Sequence, residues 1–321
     1  MGPRPMEDIM RIAVFGAGSV GGYFGGRLAL AGEDVVFIAR GAHLDALRTQ
    51  GLRVESLKGD FHVPLVQATD QPAEVGPVDV VLVAVKTWQV PEAAQAMRPM
   101  VGQETYVVPL QNGLEAPAQV AAVLGPQHVL GGSCVISSAV TVPGCIRHVG
   151  LEPSVTFGEL DQRASPRAER LQEAFQRAEV RAIVAADVQV AIWEKFMVIR
   201  HGPVGAVARA PLGVLRSVPE TRQMIEQACV ETLAVARARG IALAEDSPTR
   251  TMAVVDTIAP GLIASLQRDI EAGRPSELDA LTGALVRLGT EVGIATPLHA
   301  YLYHTLLPQE LRARGQLQFP A

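Results

Sequence analysis

The residues in this chain whose types and spacing suggest chemistry are a glycine turn, one arginine and a very small set of lysines. Gly16, Gly18 and Gly21 stand at GxGxxG spacing, and such a turn between a strand and a helix is a seat for a dinucleotide pyrophosphate. The first glycine permits the tight turn, the second lets backbone approach phosphate, and the third lets the helix pack on the strand. Gly16, Ala17, Gly18, Ser19, Val20 and Gly21 are therefore candidate cofactor-binding residues. Arg40 lies 19 residues beyond Gly21. An acid near this position would accept from a ribose 2′-OH, whereas an arginine accommodates a 2′-phosphate, so the expected cofactor is NADP(H).

Of the 28 basic residues only three are lysines, Lys58, Lys86 and Lys195. Arginine stays charged, while a lysine ammonium can give up its proton when its surroundings shift its pKa. Lys58, beside Gly59 and Asp60, reads as a turn residue. Lys86 ends the apolar run Val78–Val85, and Asn112 follows the run Thr105–Leu110. Ligands of α/β sheets bind beyond the carboxyl ends of the strands, which makes both residues candidates, the alternative being that they only cap loops. Lys195 lies in a helix expected over residues 188–200 that is apolar on nearly every face. Successive helical residues point about 100° apart, so Glu194 cannot share its face. Either Lys195 is tied to a core carboxylate or it has a proton to transfer. Reduction of a ketone leaves negative charge on oxygen, and an ammonium both stabilises that charge and supplies the proton, contributing ~10²- to 10⁴-fold. Glu277, near the start of a later helix, could orient it. The seven histidines lack ligand spacing, no serine stands in a GxSxG context, and no metal site is expected.

The elements that must position these residues change character along the chain. Arg11–Phe15 reads as a strand, Val20–Leu30 as a helix and Asp34–Ala39 as a second strand. A helix over residues 41–50 and a hairpin of 52–57 with 61–66 follow. Further strands are expected at 78–85, 105–110, 129–142, 145–149, 154–158 and 181–185, with a helix over 163–178. From about Asp187 the periodicity is helical, punctuated by Gly240, Pro248, Pro260, Pro275 and Gly293. Gly202 and Pro203 should interrupt the helix that carries Lys195, and Ser276, Glu277 and Asp279 should open a helix running past Leu288. The expected architecture is α/β: an N-terminal extension (1–9), a Rossmann-type parallel-sheet domain (10–186) and an all-helical domain for substrate or dimerisation (187–321).

A chain of 321 residues with 48% hydrophobic and 19% charged residues has room for two compact domains. A net charge of −5 without a basic run argues against nucleic acid. The arginines around Leu311–Arg314 read as a solvated helix end. No apolar run is long enough to span a bilayer, and the N-terminus lacks the features of a signal peptide, so a cytoplasmic protein is expected. Cys134, Cys145 and Cys229 are scattered and read as core thiols. The apolar helices at 225–236 and 278–288 could bury themselves within one chain or in a homodimer.

The ordered set GAGSVGGYFGGRLA, VAVKTWQV, PLQNGLE, WEKF and SLQRDIEAGRPSELDALTGALVRLG with GIATP resembles the ketopantoate reductases (2-dehydropantoate 2-reductases) over nearly the whole chain from Met10. The resemblance implies an NADPH-binding Rossmann domain, a helical domain that completes the substrate cleft, and reduction of a 2-keto acid, ketopantoate, to pantoate in pantothenate and coenzyme A biosynthesis. It implies Lys195 as general acid assisted by Glu277, Asn112 and Ser265 at cofactor and substrate, and Arg40 and Lys86 at cofactor-contacting positions. Lys86 is also a candidate for the substrate. The chain departs from the family where asparagines often follow the lysine by four and eight residues: Ile199 and Pro203 stand there, and Ala264 and Leu266 flank Ser265. Ile199 is thus expected beside a less polar substrate. A different 2-keto acid or ketone, or a non-catalytic NADP-sensing protein, are the alternatives.

Overall fold

The computed structural model describes residues 9–320, so all of the expected N-terminal extension except Ile9 lies outside the described residues. The chain forms two compact units. One comprises the residues up to Gln111 together with Ala116–Val188, the other Asn112–Glu115 together with everything from Gln189 onward.

The first unit begins with β1 (Arg11–Phe15), α1 (Ser19–Leu30), β2 (Asp34–Ile38), α2 (Gly41–Gln50), β3 (Leu52–Ser56), β4 (Phe61–Val63), β5 (Gln67–Thr69), β6 (Val80–Val83), α3 (Val90–Ala96) and β7 (Tyr106–Pro109). It continues with α4 (Ala116–Leu124), β8 (Leu130–Val135), β9 (Ser138–Val142), β10 (Cys145–His148), β11 (Ser154–Glu159), α5 (Pro166–Arg177) and β12 (Arg181–Val184). The main sheet is parallel throughout, in the order β5-β2-β1-β6-β7. Counting its strands along the chain gives 3-2-1-4-5, the order of a doubly wound nucleotide-binding sheet. Its central strands are nearly unbroken apolar runs because both faces are covered. In β1, Ile12 and Val14 join one core with Phe24, Phe37, Phe157 and Phe175, while Ala13 and Phe15 join another with Val81, Val107, Met97 and Met100.

Two smaller sheets flank this one, of order β4-β3-β10-β9 and β12-β11-β8. The expected single strand over 129–142 is divided between them: β8 pairs with β11, and β9 pairs with β10. No glycine or proline marks the break at Ile136–Ser137, so the β-prone run conceals it.

Helix α1 lies close on the sheet because its inward face is glycine. A Cβ on Gly25 would stand 2.6 Å from Phe37 Cε1 and 2.7 Å from Val14 Cγ2.

The second unit is helical: α6 (Val188–Val198, whose first residue belongs to the sheet unit), α7 (His201–Ala208), α8 (Leu212–Ser217), α9 (Pro219–Ala238), α10 (Ser247–Thr257), α11 (Ser265–Glu271), α12 (Ala284–Glu291) and α13 (Pro297–Ala313). Two expectations are corrected here. The helix carrying Lys195 ends at Val198, and Gly202 and Pro203 lie inside the first turn of α7 rather than at the break. Proline is tolerated in a first turn because its missing N–H has no intrahelical acceptor there. The helix expected from Ser276 is irregular, with a π-helical turn over Asp279–Gly283 before α12. Among the described residues no helix is long and apolar enough to cross a membrane.

The packing of α1 makes a prediction. Gly25→Ala should lower the unfolding free energy by about 1–2 kcal/mol despite alanine's helix propensity. Gly261→Ala, where a Cβ meets nothing within 4 Å, should be nearly neutral. Urea unfolding followed by circular dichroism compares the two.

Candidate active site

The glycine turn stands where β1 ends. Gly16 has φ +101°, and a Cβ there would lie 2.9 Å from the backbone nitrogen of Val85. The N–H groups of Gly16 and Ala17 both donate to the Ile38 carbonyl at 3.1 and 3.2 Å, which ties the turn to the end of β2. A Cβ on Gly21 would collide with the Gly16 carbonyl oxygen. Gly18 is the N-cap of α1, without a side-chain cap and with no acidic residue in the first turn, so Ser19, Val20 and Gly21 open the helix with N–H groups and positive dipole. Such an end suits a pyrophosphate.

Two cations flank it. Arg40, the N-cap of α2, is exposed, with Nη2 3.6 Å from Glu92 Oε1. Lys86 is exposed just past β6, and its N–H donates to Gln89 Oε1 at 3.2 Å. Gln111 fixes this edge, since its Nε2 donates to the carbonyls of Val83 and Val85 at 3.0 Å each. The structure thus brings Gly16–Gly21, Arg40 and Lys86 to the carboxyl ends of β1, β2 and β6.

The remaining candidates, Asn112, Lys195, Ile199, Ser265 and Glu277, all belong to the helical unit. Chain neighbours of each contribute to one apolar cluster of that unit. Trp193, Phe196 and Met197 of α6, Leu266 beside Ser265, Leu278 beside Glu277, Leu114 beyond Asn112, and Ile199 itself pack into it. A Cβ on Gly113 would approach the Ala280 carbonyl at 3.3 Å, and Glu115 is paired with Arg287 at 2.9 Å, so the loop bearing Asn112 rides on the π-turn and α12.

Lys195 lies in the last turn of α6, and its Nζ is buried. Glu194 points elsewhere and pairs with Arg250 at 3.3 Å. Glu277 is buried and is held through its neighbour. Ser276 donates its N–H to both carboxylate oxygens of Glu310 (3.1 and 3.0 Å) and its hydroxyl to the same group. Arg314 closes the clamp, donating to Glu310 Oε1 at 2.6 Å and to the Ser276 carbonyl at 2.9 Å. The arginine end of α13, expected to be merely solvated, therefore reaches back to anchor the segment that leads into Glu277.

A second fastener is Arg200, which is fully buried and stacks over the Phe196 ring at 3.5 Å. It donates Nε–H to the Phe196 carbonyl at 2.8 Å and Nη1–H to the Leu281 carbonyl at 2.5 Å, joining the end of α6 to the π-turn after Glu277. Burial pushes its pKa down to about 9, so it remains charged at neutral pH. Nearby, His299 Nδ1 lies 2.6 Å from Glu231 Oε2. Burial alone would raise the Glu231 carboxyl, but hydrogen bonds from the His299 ring and from the amides of Leu298 and His299 hold it below its usual range. Burial lowers the His299 pKa, against the raising effect of its bond to Glu231. His201 is pushed down to about 4, chiefly by burial, then by Arg200 and Arg216.

Known proteins resemble this chain in sequence and fold. The model of the family "Ketopantoate reductase PanE/ApbA" matches residues 12–162, and that of its C-terminal part matches residues 187–310. The chain belongs to the ketopantoate reductase family. It is 31% identical to an uncharacterized oxidoreductase of Bacillus subtilis, with 92% of this chain and 98% of that one covered. It is also 31% identical to a 2-dehydropantoate 2-reductase of Nostoc, covering 96% and 98%. The crystal structure of a family member from Ralstonia eutropha superposes with a TM-score of 0.86 at 30% identity, covering 95% of this chain and 100% of that one. Family membership makes the chain an oxidoreductase.

Within the family's plan, Ile199 is half-buried in the apolar cluster and Pro203 is buried in α7, so neither offers a polar group. Sequence reasoning missed Glu310, Arg314 and the anchoring role of Arg200. Arg314–Glu310 and Arg200–Phe196 are four-residue contacts, but the partners that make them anchors lie 34, 38 and 81 residues away. Among the described residues no group of histidines, cysteines and carboxylates could hold a metal ion.

The depressed His201 gives a pH prediction. Its folded pKa of about 4 lies below the ordinary 6.5, so the unfolded chain binds more protons between those values. Its contribution is present above pH 6.5 and is lost as pH falls toward 4, by roughly 3 kcal/mol at most. Urea unfolding at stepped pH should show a steeper loss in the wild type than in His201→Gln.

Proposed function

We propose that this chain reduces a 2-keto acid to a 2-hydroxy acid with NADPH, the leading substrate being ketopantoate and the product pantoate. The observation that carries this reading is the buried Nζ of Lys195 in the last turn of α6, in a unit whose apolar cluster is built in part from chain neighbours of Asn112, Ser265 and Glu277. Family membership supports it, and so does the 2-dehydropantoate 2-reductase activity named for the Nostoc relative.

The residues present fit the cofactor. The end of α1, the close backbone at Gly16 and the open space beside Gly18 suit the pyrophosphate, and Arg40 suits the 2′-phosphate in exchange for its solvent-exposed contact with Glu92. When bound, the reduced nicotinamide supplies the hydride. Lys195 holds its ammonium toward the ketone oxygen, stabilises the negative charge that develops there and gives it a proton, so that the carbonyl becomes a hydroxyl. Glu277 orients the ammonium, Asn112 and Ser265 donate to the substrate or the carboxamide, and Lys86 adds positive charge at the sheet edge.

A second reading, a different 2-keto acid, is favoured by Ile199 and Pro203. Their apolar side chains offer no hydrogen bond to a hydroxylated substrate.

Purified protein with NADPH and ketopantoate should oxidise the cofactor, followed by its absorbance. Lys195→Ala should lose ~10²- to 10⁴-fold in kcat while still binding NADPH, and full turnover in that variant would remove Lys195 from the mechanism. Arg40→Glu should shift preference from NADPH toward NADH, read as the ratio of kcat/KM for the two cofactors. A panel of 2-keto acids ranked by kcat/KM separates the two substrate readings.

A further inference from the structure

The peptide between Ala17 and Gly18 is held from behind by a residue outside the glycine motif. His43, in the first turn of α2, has its Nε2 2.8 Å from the Ala17 carbonyl oxygen. Its Nδ1 lies 3.1 Å from the backbone nitrogen of Gly144, in the turn between β9 and β10. A backbone N–H can only donate, so Nδ1 accepts. The ring proton therefore sits on Nε2 and is donated to Ala17.

The Ala17 carbonyl is available for this bond because the first intrahelical bond of α1 runs from Gly22 N–H to the Gly18 carbonyl at 2.7 Å. The Ala17 N–H is bonded to Ile38 at 3.2 Å. His43 thus completes the tethering of Ala17 to the segment after β2. A trans peptide is planar, with its carbonyl and the following N–H pointing in opposite directions. Fixing the Ala17 carbonyl on one side fixes the Gly18 N–H on the other, and Gly18 N–H is among the amides with which a glycine turn binds pyrophosphate.

We propose that His43 is a positioning residue for the dinucleotide: it sets the plane of the Ala17–Gly18 peptide and so aims the Gly18 N–H at the cofactor's pyrophosphate. The bond to Gly144 fixes the tautomer that makes His43 a donor, so the β9–β10 turn takes part in shaping the glycine turn. The proposal rests on the cofactor reading above but not on the identity of the keto acid.

Direct titration of the protein with NADPH, read by nicotinamide fluorescence, tests it. Glutamine places an amide N–H where Nε2 stands, whereas asparagine reaches only as far as Nδ1. His43→Asn and His43→Ala should therefore weaken NADPH binding by about three- to tenfold, the worth of one hydrogen bond. They should raise KM for NADPH by the same factor with kcat little changed, and His43→Gln should restore most of the loss. Circular dichroism and melting temperature keep a folding defect apart from a local one. A His43→Asn variant that is folded and binds NADPH as the wild type does would overturn the role of His43 alone. Equal losses in the asparagine and glutamine variants would also overturn it, assigning the effect to packing of the β9–β10 turn. A wild-type chain that binds neither NADPH nor NADH would overturn the cofactor reading, and the role of His43 with it.

Discussion

Helix α1 approaches β1 and β2 to a distance that only glycine permits, and the sheet unit is arranged around that approach. Gly25 leaves no room for a methyl group against Phe37 and Val14, and Gly21 leaves none against the carbonyl of Gly16. The close seat puts the N-terminus of α1 directly at the carboxyl ends of the parallel strands. The dipole and amides of the helix, Arg40 after β2 and Lys86 after β6 then share one edge. A larger residue at Gly25 would move the helix out and the phosphate seat with it.

The helical unit solves a different problem. It must hold a lysine and a glutamate within an apolar setting. Its solution is to spend other buried polar groups as fasteners. Arg200 bonds to two carbonyls and stacks on Phe196, joining the end of the lysine-bearing helix to the π-turn. Glu310, itself neutralised by Arg314, grips Ser276 immediately before Glu277. The π-turn at Asp279–Gly283 belongs to the same region, as such turns often mark functional sites. Removing one partner of such a group leaves the other buried and unsatisfied, so each fastener fixes backbone more firmly than an exposed ion pair would.

Most of the fold was legible because its signals are local. Alternation and continuous apolar runs located β1, β2, β6 and β7, and the loss of strand periodicity after Asp187 marked the helical half. The misreadings share one cause. The strand over 129–142 was divided without a glycine or proline, the helix of Lys195 broke two residues early, and the helix after Ser276 began with a π-turn. In each case tertiary partners, absent from the local pattern, chose the geometry.

The sequence by itself determined the glycine turn, the cation after the second strand and the scarcity of lysine that singles out Lys195. It could do so because these rest on residue type and short spacing. Only the tertiary structure decided that Asn112 keeps company with the helical unit, that Glu310 and Arg314 anchor the approach to Glu277, and that His43 holds the peptide before Gly18. Hydrogen bonds between groups 26 to 38 residues apart leave no periodicity in the chain, and their partners meet only when the elements carrying them have packed.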